Sequence, residues 1–160
     1  MVLFVPDVSR EALWDTVRHE SFHAFVHGFM EEVPTWLDEG WAQCASKGKV
    51  DLTTIRMAPL EPEALARLNY EVNVEGFMAM DHGKFMKGAR NHYPLAQALV
   101  TYLYVSEKPK CRDRLAGYLE SLRTGLSARE AFEKHFRPVI AEITAGFNAW
   151  LKAGAKVGGK

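Results

Sequence analysis

Apolar residues recur at helical spacing along most of this chain and only briefly at the alternating spacing of a strand. From Arg10 to about Phe29 they fall at Leu13, Trp14, Val17, Phe22, Phe25, Val26 and Phe29, which predicts an amphipathic helix capped by Ser9 or Asp7. Glu31-Glu32-Val33-Pro34 reads as a connector. Thr35-Trp36-Leu37-Asp38 has the Thr-x-x-acid form of an N-cap, so a second helix is expected from Trp36 to about Ser46, stopped at Lys47-Gly48-Lys49. Asp51 to Met57 has the β-branched content of a short strand, and Val2–Val5 could add a strand remnant. Glu61–Asn69 reads as helical with Pro62 in its first turn, and one or two helical turns are expected between Tyr70 and Asn91, where Gly76, Gly83 and Gly88 interrupt the pattern. Further helices are predicted at Tyr93–Val105, Lys110–Leu122, Ser127–His135 and Pro138–Lys152, the third opened by a Ser127/Glu130 capping box. The expected class is mainly α: one domain over 1–152 and a Gly/Lys-rich tail, 153–160, that should be flexible.

Within the first helix, His19-Glu20-Ser21-Phe22-His23 is an H-E-x-x-H pattern. Residues four apart share a helix face, so both imidazoles can reach one ion. Glu20 lies roughly 100° round the helix from His19, near such an ion without pointing at it, where it can serve as a base. Zinc suits the site, because it accepts nitrogen and oxygen ligands and leaves a position for water. The second helix can fold back on the first and present Glu39 as a third ligand.

Trp36-Leu37-Asp38-Glu39-Gly40-Trp41-Ala42, following H-E-x-x-H, resembles the gluzincin clan of zinc metallopeptidases, and the order of elements is similar to that of uncharacterised bacterial gluzincin-like domains over nearly the whole chain. The resemblance implies a zincin-like pair of active-site helices with a short β segment and a C-terminal helical lobe. It implies His19, His23 and Glu39 as zinc ligands, Glu20 as general base, and a peptide or protein as substrate. Tyr93-Pro94-Leu95-Ala96-Gln97 is similar to the Tyr-led helix of gluzincin aminopeptidases, where the phenol donates a hydrogen bond to the oxyanion, and Tyr93 is expected at a helix start. The longer metzincin motif is not met, since Phe29 stands at its third histidine. Two positions depart from the clan. Gln43 replaces the acid that commonly orients a ligand histidine four residues after the zinc glutamate, and at most Val2–Val5 stands where a β-sheet usually precedes the first helix.

Composition narrows the function further. The formal net charge is zero and the basic residues are scattered, which argues against a nucleic-acid surface. No apolar run reaches the roughly 18 residues of a membrane span, and Met1–Val5 is too short for a signal-peptide core. Compartment and oligomeric state stay open, and an export signal upstream of a fragment is compatible with the sequence. Cys44 and Cys111 are too far apart for a CxxC site and read as one disulfide or two buried thiols. His27, on the face of His23, is expected to be half-exposed just beyond the site, and His92 is a lesser candidate for oxyanion or carboxylate binding. Asp38 is accounted for as the helix-start acid, and Trp14, Trp36 and Trp41 as packing around the two helices. The alternative to a peptidase is a non-catalytic binding or scaffolding domain that retains a degenerate metallopeptidase site.

Overall fold

The computed structural model describes residues 9–50, 55–56 and 60–156. The expected strand remnant at Val2–Val5, the alternative cap Asp7 and the last four residues of the tail lie outside them. Nine α-helices are present among the described residues: α1 (Arg10–His27), α2 (Thr35–Lys47), α3 (Pro62–Leu65), α4 (Val74–Met78), α5 (His82–Lys87), α6 (Ala89–Val105), α7 (Cys111–Arg123), α8 (Ala128–His135) and α9 (Ile140–Lys152). A single 3₁₀ turn, Arg137–Val139, leads into α9. The mainly helical class stands. Of the strand expected over Asp51–Met57, residues 51–54 and 57 lie outside the described residues; among those described, Ile55–Arg56 (β2) pairs with Lys49–Val50 (β1) as two antiparallel rungs.

Side-chain caps set several helix starts. The Ser9 hydroxyl accepts the Ala12 N–H at the start of α1, and Ser127 and Glu130 close a reciprocal capping box on α8. At α2 the expected Thr35 cap is absent. Pro34 occupies the cap position without a side-chain bond, Thr35 is already helical, and the Asp38 carboxylate is used elsewhere. The helix expected over Glu61–Asn69 is shortened to α3.

The α1–α2 hairpin is antiparallel, and the Arg18 Nε–H donates to the Ser46 carbonyl (2.8 Å) to tie the middle of α1 to the end of α2. On its other side α2 packs against α6, with Trp36, Leu37, Ala96, Leu99, Val100 and Leu103 all but sealed from solvent. Gly40 makes this contact close: a Cβ there would lie 2.6 Å from the Ala96 carbonyl oxygen and 2.7 Å from Val100 Cγ2. Below α6, Tyr118, Phe136, Ile143, Phe147 and Leu151 carry the core through α7 and α9. Residues 153–156 turn back on α9, where Trp150 Nε1–H donates to the Lys156 carbonyl (3.1 Å).

The first helix departs from its expected role. Its only buried residue is Val26, whereas Leu13, Trp14, Phe25 and Phe29 are each more than half exposed. Trp14 is therefore not core packing, although Trp36 is buried and Trp41 packs edge-on against Phe22. Both cysteines are free and buried.

Candidate metal centre

Helix α1 presents His19 and His23 one turn apart, and α2 runs back beneath them with Glu39 in its second turn. The two Nε2 atoms are 3.1 Å apart, and Glu39 Oε2 lies 3.4 Å from that of His19 and 3.6 Å from that of His23. Three ligands held tetrahedrally at zinc bond lengths would stand about 3.3 Å from one another, so this triangle has the size such an ion requires. Glu39 Oε2 is buried and has no hydrogen-bond partner, although Oε1 accepts from the Tyr93 phenol at 3.3 Å. A buried carboxylate oxygen left unmet costs roughly 1–3 kcal/mol or more, which a cation between the three atoms would offset. The donor set of two imidazoles and one carboxylate also matches zinc chemistry, so the residues fit the ion.

The tautomer of His23 follows from its far side. Its Nδ1 is 2.8 Å from Asp38 Oδ1, and a carboxylate only accepts, so the proton is on Nδ1 and the Nε2 lone pair faces Glu39 and His19. The other oxygen of Asp38 accepts from His27 Nε2 at 3.1 Å. Asp38 is thus the residue that sequence reasoning missed. Its role as a helix-start acid seemed sufficient, and the signal that could have found it was the His23/His27 pair on one face. Gln43, at the position where the clan commonly has an acid, makes no hydrogen bond to either imidazole among the described residues; the orienting carboxylate stands instead one residue before Glu39. His27 is half-exposed, as expected, and is joined to the site only through Asp38.

Electrostatics bind the cluster together. The Glu39 carboxylate, 3.4 Å away, holds the His19 imidazole above its ordinary range, and burial only partly opposes it. For Glu39, burial pushes the carboxyl up, but His19, His23 and Tyr93 together outweigh it and hold the group below its usual range. Burial, then the Glu39 charge, raises the Tyr93 phenol, which is therefore neutral near pH 7. Glu20 is solvent-exposed on α1, and its charge is felt by both His19 and Tyr93. It is not among the three residues whose ligand atoms converge.

The Tyr93 helix begins earlier than expected. Tyr93 is the fifth residue of α6, and Pro94 sits inside the helix, where it forgoes one backbone bond. Gly88 allows the early start, since a Cβ there would meet the His92 ring at 2.3 Å. His92 lies outside the site: its Nδ1–H donates to the Phe85 carbonyl (2.7 Å), and its ring packs on Phe77 and Phe85. Cys44 is buried against Thr101, and burial pushes its thiol up to about 11, so it offers no thiolate. Comparison with protein-family models, curated proteins and solved structures finds no match to the chain.

Proposed function

We propose that this chain is a zinc-dependent peptidase of the gluzincin kind. The observation that carries the reading is the triangle of His19 Nε2, His23 Nε2 and Glu39 Oε2, which has the edge lengths of a tetrahedral site and holds an unmet buried oxygen. A zinc ion bound there supplies Lewis acidity that polarises a carbonyl and acidifies water. Glu20, exposed beside the triangle, accepts a proton from the attacking water and passes it to the departing amine. The neutral Tyr93 phenol donates to the carbonyl oxygen as negative charge gathers on it, leaving Glu39 Oε1 when it does so. Asp38 keeps the His23 proton on Nδ1 throughout. The rival reading, a binding domain with a retained site, draws on the apolar residues that α1 exposes.

Elemental analysis of the purified protein decides first. About one zinc per chain, lost in His23→Ala, supports the ligand set; no uptake of offered zinc would leave the binding-domain reading in its place. Against a peptide substrate, Glu20→Gln should keep the metal and lose about 10²–10⁴ in rate, and Tyr93→Phe about 10²–10³. Full activity in Glu20→Gln would sink the mechanism.

A further inference from the structure

Two rows of side chains face one another beside the metal centre. On α2, Glu39, Gln43 and Lys47 follow at one-turn spacing; on α6, Arg90, Tyr93 and Gln97 do the same. The rows begin at the Glu39–Tyr93 hydrogen bond, where the two helices are drawn together by Gly40. Beyond Tyr93 they part into a groove of about 720 Å³, closed on its third side by α3. That volume lies within the range of ligand pockets. Tyr93 belongs to both, lining the groove and donating to Glu39 of the candidate metal centre, so a chain bound across the centre passes beside the groove.

The groove carries both amides and charges. One turn on from Glu39 and Tyr93 it is lined by Gln43 and Gln97, and Gln97 is 95% buried with its Nε2 unpartnered. Its lining also holds Lys47, Arg67 and Arg90 with Glu61 and Glu63, Arg90 standing one turn before Tyr93 on α6. Lys47 and Glu61 stand 3.8 Å apart and offset one another, which leaves, among the described residues of the lining, two guanidinium groups and one carboxylate. Guanidinium groups pair with carboxylates in a planar, bidentate way that an ammonium does not match.

We infer that this groove is the substrate-recognition arm of the site and that it takes a peptide carrying a carboxylate, which Arg67 and Arg90 bind. The inference rests on the peptidase reading for its placement of the cleaved bond. An acidic side chain and a chain terminus offer the same group.

The test is calorimetric binding of alanine hexapeptides to zinc-loaded Glu20→Gln protein, which should bind substrate without turning it over. Amidated, acetylated peptides carry one Asp walked through the six positions, or Asn in its place; free-acid alanine peptides report the terminus. Binding about tenfold tighter for the anionic member at one or two positions, abolished in Arg67→Ala/Arg90→Ala with zinc content and melting temperature unchanged, is the expected result. Equal binding of Asp and Asn peptides with equal binding of free-acid and amidated ones, a preference that survives the double variant, or no binding at all would overturn the groove assignment. Parent protein that cleaves none of these peptides while the charge preference persists would overturn the peptidase reading and leave the groove in place. Cleavage without charge preference would do the reverse.

Discussion

Asp38 touches no ligand position of the triangle, yet it decides which nitrogen of His23 is available to a metal. Replacing it with Ala frees His23 to take either tautomer and to turn. Zinc affinity should then fall about 10–100-fold, measured by chelator competition, with Asp38→Asn at the mild end because its amide oxygen still accepts from Nδ1. Unchanged affinity in both variants would mean that packing alone orients the ring. The metal-free protein has its own pH signature. His19 is raised above the ordinary imidazole value, so the stability it contributes is complete below about pH 6.5 and is lost as pH climbs through its folded value. Glu39 is lowered, so its contribution is complete above the ordinary carboxyl range and is lost as pH drops through its folded value. Urea midpoints of metal-free protein should accordingly peak between those two ranges, near pH 5–6. A midpoint that rises steadily from pH 5 to 8 would contradict the charged His19–Glu39 pairing.

Gly40 shows how an element can be fixed by the absence of a side chain. A methyl there meets backbone at 2.6 Å, and backbone cannot move aside as a flexible chain end can. Gly40→Ala should thus destabilise the fold by about 1–3 kcal/mol, although alanine is the better helix former by roughly 1 kcal/mol. Thermal melting reads the sign directly, and a stabilised variant would show that α2 and α6 are looser than described. Among the elements, those with both periodicity and a cap were legible beforehand: Ser9 opens α1, and Ser127 with Glu130 opens α8. The start of α6 was not, because Pro94 looks like a first-turn residue, whereas Gly88 lets the helix begin at Ala89 beneath the His92 ring. At the site, the convergence of His19, His23 and Glu39 was legible because a four-residue spacing and a following helix leave little choice of geometry. Asp38 was hidden by a simpler explanation of the same residue. The exposure of Trp14 and Phe25 could not be read at all, because an apolar face says that something should cover it and not what does.

At the scale of the whole molecule, α1 is seated on α2 through few buried side chains. One buried side chain, Val26, contributes about 1.5–3 kcal/mol of apolar burial, little for an 18-residue helix to be ordered on. The helix gives two of the three candidate ligands, and the third comes from the well-packed α2. An ion at the triangle would therefore act as a staple between a loosely seated segment and a rigid one. Zinc at 100 times its dissociation constant adds about 2.7 kcal/mol, which should raise the melting temperature by roughly 5–10 °C. Hydrogen exchange should show residues 10–27, which open by releasing the ion, gaining protection; no gain there would refute the staple. The same reasoning makes the ion a guard against proteolysis: chelation would release α1 as an exposed strip of leucine, tryptophan and phenylalanine, the kind of segment that proteases nick first, while the rest of the helical body stays intact.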